Sequence, residues 1–311
     1  METFLIKTLG CKVNTYESEF VRNLLLFNGY KEVEENADIC IINSCTVTNT
    51  ADNKSKQVIN NIRKNNKDAL VIAMGCFTQF RKNEIKDLID ADIIIGNMNK
   101  SKILDYIKEY EKNHKQIVDF YDMNIQDFED MEINKYNHKH RAFIKIEDGC
   151  NNFCSYCIIP YVRGRVRSKE FNKAIIEAND LSIAGHKEIV LSGIHTGQYN
   201  SGSKRLSDLI NELSKIELLK RIRLSSVEIV ELDSTLESTN VFSLEFNEED
   251  TSSIGLELSS VKDTLFCDNE LELLSLSLHP LIVNILTTRP LNAKVRKKCL
   301  VFMIFSFFVS H

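Results

Sequence analysis

The sequence predicts an α/β protein, with an open parallel-sheet domain at the N-terminus followed by an incomplete β/α barrel. Three observations predict it. Short apolar runs alternate with amphipathic stretches from Thr3 to Lys112. A second series of the same kind opens at Arg141 and stops after a few units. Cysteines recur just past the ends of the apolar runs, where an open parallel sheet forms its ligand crevice.

In the first series, Thr3 to Leu9 is a short apolar strand. Tyr16 to Asn28 is an amphipathic helix with Phe20, Leu24 and Phe27 on one face, ending near Gly29. Strands at Ala37–Ile42, Leu70–Met74 and Asp92–Ile95 alternate with helices at Thr50–Asn66, Arg81–Ile89 and Lys100–Lys112. Apolar strands separated by helices imply a parallel sheet covered on both faces. Residues 113–140 carry charges, His138, His140 and one strand at Gln116–Phe120, and read as a linker. The second series runs from strand Ala142–Ile146 through helix Lys169–Ala184, which Gly185 is placed to cap. Strand Glu188–Ser192, helix Lys204–Lys215 and strand Arg221–Val227 follow. The expected domains are therefore 1–112, a linker at 113–140, a partial barrel at 141–233 and an atypical tail at 234–311.

Hydrophobic residues make up 43% and charged residues 27% of the 311-residue chain, ordinary values for a soluble globular protein. The net charge of −5 gives no global basic field, so any contact with nucleic acid must come from a local patch. Nine cysteines are too few for a disulfide scaffold at this length. Met1-Glu-Thr-Phe lacks the basic and apolar regions of a secretory signal. The apolar run Cys299–Val309 is too short to span a bilayer. A reducing cytoplasmic compartment, no membrane and metal-binding thiols are expected.

Cys150, Cys154 and Cys157 form a C-x3-C-x2-C run. A structural zinc site or a closed electron-transfer cluster takes four protein ligands. Three leave one iron of a 4Fe-4S cluster open to a small molecule. The competing use is a zinc knuckle completed by His138 or His140, although zinc motifs usually pair cysteines as C-x2-C with a distant second pair. Cys11, Cys45 and Cys76 have no tight spacing, yet each lies just past a predicted strand, in Leu9-Gly-Cys11, Asn43-Ser-Cys45 and Met74-Gly-Cys76. Loops at that edge lie side by side, so three thiols can converge there, and Gly10 and Gly75 permit close backbone approach. The alternative is that free cysteines serve as small core residues, the reading given to Cys40.

Thr8-Leu-Gly-Cys-Lys-Val-Asn-Thr-Tyr-Glu-Ser-Glu19, Ile42-Asn-Ser-Cys-Thr-Val-Thr48, Gly75-Cys-Phe-Thr-Gln79 and Gly149-Cys-Asn-Asn-Phe-Cys-Ser-Tyr-Cys-Ile-Ile-Pro-Tyr-Val-Arg-Gly-Arg165 resemble the radical S-adenosylmethionine (SAM) methylthiotransferases. With Ser192-Gly-Ile-His-Thr-Gly-Gln-Tyr199, the wording is most similar to the branch acting on threonylcarbamoyladenosine in tRNA. The resemblance covers Met1 to about Asp233. It implies two 4Fe-4S clusters. Cys150, Cys154 and Cys157 would hold the one that reduces SAM, and Cys11, Cys45 and Cys76 the one that presents sulfur. It also implies methylthio transfer to C2 of the adenine beside the anticodon, with an electron donor such as flavodoxin or ferredoxin as partner.

Gly193 and Thr196 follow a barrel strand, where ligand-contacting residues sit, and Ser225 and Glu228 end the next one; all four are candidate SAM contacts. Ordinary loop and cap roles are the alternative for each. His195, in the same loop, reads as a solvated side chain. Arg163, Arg165 and Arg167 with Tyr161 form a basic, aromatic-containing stretch that could meet phosphate and stack on a base, or simply be a solvated turn with salt bridges. A six-unit barrel needs about 190 residues by the proportions of the eight-unit form. Residues 141–233 supply about three units. The Ser- and Leu-rich tail shows neither further barrel strands nor an RNA-binding β-barrel and looks like a misjoined or frameshifted ending. Two alternatives therefore accompany the main reading: an inactive truncated Fe-S-binding remnant, and a methylthiotransferase for another tRNA adenosine or a protein.

Overall fold

The computed structural model describes residues 2–123, 127–136 and 141–227. The first series folds as β1 (Thr3–Thr8), α1 (Lys12–Phe27), β2 (Lys31–Glu32), β3 (Ile39–Ser44), α2 (Asn49–Asn65), β4 (Leu70–Gly75), α3 (Cys76–Phe80), α4 (Ile85–Leu88), β5 (Ile93–Ile95), α5 (Ile103–Asn113) and β6 (Ile117–Asp119). The six strands form one parallel sheet in the order β2-β1-β3-β4-β5-β6. All six residues of β3 are buried, as a central strand covered on both faces requires. Cys40, Ile42, Val71 and Ala73 pack under α2 with Ile59, whereas Ile39, Ile41, Ile72 and Met74 face Val21 and Leu25 of α1 and Ile103 and Ile107 of α5. This alternation is the two-residue period of a strand applied to two apolar layers.

Two helices differ from expectation. Arg81–Ile89 is not one helix: a short helix starts at Cys76 itself and a second turn covers Ile85–Leu88. The pattern misses this break because Cys76, Phe77, Thr78 and Gln79 are all buried and carry no polar face. Likewise α1 begins at Lys12, directly after Cys11.

Residues 113–136 are more than a linker. Ile117–Asp119 adds the sixth strand, and Met131, Ile133 and Tyr136 are buried against the second sheet. His138 and His140 lie outside the described residues. The second series contains β7 (Arg141–Lys145), β8 (Glu147–Asp148), α6 (Ile159–Arg163), β9 (Arg167–Ser168), α7 (Phe171–Ile183), β10 (Glu188–Ser192), β11 (Asn200–Ser201), β12 (Lys204–Arg205), α8 (Leu206–Leu213) and β13 (Arg221–Leu224). β7, β10 and β13 form a parallel sheet in the order β13-β10-β7, with α7 and α8 packed on it through Ala178, Leu181, Leu209 and Leu213. β8 pairs antiparallel with β9, and β11 with β12. The expectations for 234–311 lie outside the described residues. Among the described residues no helix is long and apolar enough to cross a membrane.

Both sheets belong to one compact unit. Part of their contact is a buried polar lock. The Tyr16 hydroxyl of α1 lies 2.8 Å from Glu177 Oε1 and 2.5 Å from the Met131 carbonyl. Lys169 Nζ donates to that same carbonyl at 2.5 Å and pairs with Glu177 at 2.6 Å. The Met131 carbonyl keeps Lys169 and Glu177 keeps Lys169 and the Ile133 N–H, so removing the Tyr16 hydroxyl costs one net hydrogen bond, about 0.5–1.5 kcal/mol. Tyr16→Phe is expected to lower unfolding stability in urea by that amount. Phe27→Ser, at a position 91% exposed, should stay within about 0.5 kcal/mol of the parent.

Candidate functional site

The first three predicted cysteines fall at the C-terminal edge of the six-stranded sheet. Cys11 caps α1 after β1, Cys45 follows β3, and Cys76 opens α3 after β4. Gly10 has φ +103°, and a Cβ there would stand 2.9 Å from both Cβ and Sγ of Cys45, so the first loop lies directly on the second. Asn14 ties these loops together: its amide donates to the carbonyls of Leu9 and Ser44, each at 2.9 Å. Its Oδ1 lies 3.7 Å from Cys11 Sγ. Ser55 clamps Cys45, accepting from its N–H at 3.1 Å and donating to its carbonyl at 2.7 Å. Asn97 Nδ2 lies 3.6 Å from Cys76 Sγ and donates to the Val162 carbonyl at 2.8 Å. Cys45 and Cys76 are buried and Cys11 is exposed; burial pushes the thiols of Cys45 and Cys76 up in pKa.

Among the described residues, no three His, Cys, Asp or Glu side chains converge on a point that would hold a single metal ion. A cluster makes a different demand, since each thiolate takes its own iron. A soft donor set of three thiols with a buried arginine beside it fits an anionic iron–sulfur group better than a hard divalent ion. The Arg163 guanidinium acts on both Cys45 and Cys76, opposing the rise that burial causes.

Arg163 was expected at a solvated basic stretch. It is instead fully buried, at the end of α6, inside an ionic network. Glu17 of α1 accepts from Arg163 at 3.0 Å, pairs with Lys145 at 3.0 Å and with Lys100 at 3.3 Å. Asp148 pairs with Lys145 at 2.7 Å, Arg163 at 2.9 Å and Arg167 at 3.4 Å. Burial alone would raise both carboxyls. Arg163, Lys100 and Lys145 outweigh it at Glu17, and Arg163, Lys145 and Arg167 at Asp148, so both stay well below the usual carboxylate range. Sequence reasoning missed Glu17, Asn14 and Asn97. The signal for Glu17 was present: it shares the i, i+4 stripe of Val13 and Val21, the core face of α1.

The second cysteine set occupies the loop after β8. Cys150 is buried, Cys157 partly so and Cys154 exposed, and burial raises the Cys150 thiol. Cys150 N–H donates to the Gly164 carbonyl at 3.0 Å and Cys157 N–H to the Cys154 carbonyl at 2.9 Å, which folds the loop back on itself. Of the basic stretch, Arg167 is partly buried and donates to the Arg163 carbonyl at 2.8 Å. Arg165 lies 4.5 Å over the Phe153 ring, which meets Tyr161 edge-on at 5.9 Å. Tyr161 and Tyr156 are exposed.

Gly193, Thr196 and Ser225 come together at the C-terminal edge of the three-stranded sheet. Thr196 Oγ1 donates to the Ser225 carbonyl at 2.6 Å, and Ser225 N–H to the Leu191 carbonyl at 3.1 Å. Glu228 lies outside the described residues. His195 is buried rather than solvated. Its N–H donates to Glu147 Oε2 at 2.7 Å, and a Cβ on Gly193 would stand 2.6 Å from that oxygen. Glu147, which sequence reasoning missed, is thus enclosed by the Gly193–Thr196 loop. Burial lifts its carboxyl to about 8.

Two outcomes follow from these environments. In the metal-free native chain, iodoacetamide mapped by mass spectrometry should label Cys11 and Cys154 well before Cys40, Cys45, Cys76 and Cys150. Because Glu147 holds its proton in the folded state up to about pH 8, the unfolded chain binds fewer protons above its ordinary pKa, and stability falls as pH rises through that window. Glu147→Gln should flatten part of this decline in urea titrations between about pH 5 and 8.

Residues 3–96 match the family model described as uncharacterized protein family UPF0004. Threonylcarbamoyladenosine tRNA methylthiotransferase MtaB of Bacillus subtilis (strain 168) is 41% identical over 234 residues, 73% of this chain and 52% of the relative. Ribosomal protein uS12 methylthiotransferase RimO of Clostridium botulinum (strain Eklund 17B / Type B) is 38% identical over 231 residues, 70% of this chain and 50% of the relative. The chain thus spans about half the length of the curated relatives it matches. A solved radical S-adenosylmethionine methyltransferase, TsrM from Kitasatospora setae, aligns at a TM-score of 0.44 and 12% identity over 69% of this chain and 50% of that one, too slight a likeness to carry an argument. Over about three quarters of its own length the chain is similar to methylthiotransferases, MtaB members among them.

Proposed function

We propose that this chain is a radical-SAM methylthiotransferase of the cytoplasm, acting on C2 of N6-threonylcarbamoyladenosine beside the anticodon of tRNA. The observation that carries the reading is two three-cysteine sets, one on three loops at the C-terminal edge of the six-stranded sheet and one in the loop after β8, with α6 between them. Cys150, Cys154 and Cys157 would hold one 4Fe-4S cluster, with SAM seated against Gly193, Thr196, Ser225 and Glu228. Cys11, Cys45 and Cys76 would hold the second. When bound, these groups supply the electron, the radical and the sulfur, with the electron delivered by a flavodoxin or ferredoxin.

The chain's own residues define the surroundings of that chemistry. Thr196 fixes the β10 loop onto the β13 loop through the Ser225 carbonyl, at the sheet edge where SAM would bind. Glu147 braces the Gly193–His195 turn from below through the His195 N–H. Asn14 and Ser55 hold the backbones of two cysteine loops, leaving the thiols free for iron. Arg165 stacked on Phe153, with Tyr161 beside it, offers phosphate contact and a stacking face for a single-stranded anticodon loop next to the second cysteine set.

The uS12 methylthiotransferase relative at 38% identity supports a second reading, with a protein as the sulfur acceptor. Anaerobic reconstitution should load about eight irons per chain, and changing Cys150, Cys154 and Cys157 together to Ala should remove about half. Expression in a strain lacking the endogenous enzyme, followed by nucleoside mass spectrometry of tRNA, should restore the 2-methylthio derivative. Appearance of the mass increase on ribosomal protein instead would favour the second reading. Two clusters with no transfer to either acceptor would leave an iron–sulfur-binding remnant.

A further inference from the structure

The buried network between the sheets is not neutral. Within salt-bridge distance, Lys100, Lys145, Arg163 and Arg167 meet only Glu17 and Asp148 among the described residues, and none of the six side chains is more than 8% exposed. Four cations against two carboxylates leave the network net positive, with Glu129 acting on Lys100 from beyond salt-bridge distance. An uncompensated buried charge is costly and is retained where it coordinates or faces an opposite charge. Arginine cannot shed its proton to escape that cost.

The excess points to the first cysteine set. Arg163 Nη2 donates to Asn14 Oδ1 at 2.7 Å, the same oxygen that lies 3.7 Å from Cys11 Sγ. On the other side, Asn97 joins Cys76 Sγ to the carbonyl of Val162, the residue before Arg163. The end of α6 therefore closes over Cys11 and Cys76 through two asparagines. Arg163 Nε is buried and meets no acceptor among the described residues.

We infer that Arg163 is a positioning residue for the group held by Cys11, Cys45 and Cys76: it supplies the counter-charge for an anionic sulfur ligand on the open iron and a free N–H donor toward it. The inference rests on the cluster reading given above. A tricysteinate 4Fe-4S centre carries roughly one negative charge, and an added hydrosulfide or thiolate brings it to about two, opposite in sign to the network. Asn14 and Asn97 relay the position of α6 to the two thiols. Because α6 directly follows the Cys150–Cys157 loop, the same arginine fixes the distance between the two cysteine sets.

The test uses the full chain with Cys150, Cys154 and Cys157 changed to Ala, so that only the first set can hold a cluster. Arg163→Met, Arg163→Lys and Asn97→Asp are reconstituted anaerobically, and two quantities are read: the midpoint potential by electron paramagnetic resonance, and the affinity for sodium hydrosulfide. Arg163→Met removes a positive charge and Asn97→Asp adds a negative one. Each should reduce the reduced-to-oxidised ratio at fixed potential at least tenfold, a shift of about −59 mV for one electron. Hydrosulfide binding should weaken at least tenfold in both, and Arg163→Lys should recover most of each loss. If Arg163→Met fails to fold, the isosteric Asn97→Asp decides. Loaded variants whose potential and hydrosulfide affinity stay within about twofold of the parent would overturn this inference alone. A parent pocket that takes up no iron would overturn the cluster reading and this inference with it.

Discussion

Glu17 is a carboxylate on the core face of a helix, and it is tolerated there only because three cations from three other segments reach it. Lys100 comes from the turn before α5, Lys145 from the end of β7 and Arg163 from the end of α6. Asp148 repeats the arrangement with Lys145, Arg163 and Arg167. Desolvating six charged groups is expensive, and an apolar replacement of similar volume is often as stable. What such a network gives in return is geometry, since each charge is satisfied only when all its partners are in place. Shifting one sheet against the other would strand a charge in the interior.

That constraint explains why the cysteine loops meet where they do. Parallel strands bring Cys11, Cys45 and Cys76 to one sheet edge, and β7 and β8 bring Cys150, Cys154 and Cys157 to an edge of the other. Topology alone does not bring the two edges to each other. The Tyr16–Lys169–Glu177 lock fixes the N-terminal part of α1 against α7, and the Glu17–Arg163 pair fixes the end of α6 over the first cysteine pocket. Tyr16 and Glu17 are consecutive, so one turn of α1 carries both attachments. Tyr136 and Met131 from the connecting segment fill the apolar space beside them.

Much of this was legible in the sequence. Strand positions in both series follow from apolar runs, and the loop cysteines stand where those runs end. Boundaries slipped where polar residues do not mark them, as at Cys76, where a buried helix begins without a polar face. The two-residue strands, such as Lys31–Glu32 and Glu147–Asp148, carry no period long enough to detect. Arg163 and Glu147 were misjudged or missed for a common reason. Charge in a sequence reads as solvated surface, and only tertiary partners, up to 146 positions away for Glu17 and Arg163, turn it inward. The connector around Met131 and Tyr136 was likewise hidden, because its few apolar residues lie among charges and have no regular spacing.

The central claim is that the buried ions between the sheets act as one coupled unit that sets the two cysteine loops in register. A double-mutant cycle between Glu17→Gln on α1 and Lys145→Met on β7, read by urea unfolding of the full chain, tests it most directly. The account predicts that the two changes are strongly non-additive, with a coupling energy of about 1–3 kcal/mol and with the double variant more stable than the sum of the single losses implies. Additivity to within about 0.3 kcal/mol would mean that the two sheets do not depend on these charges for their alignment, and would contradict the account.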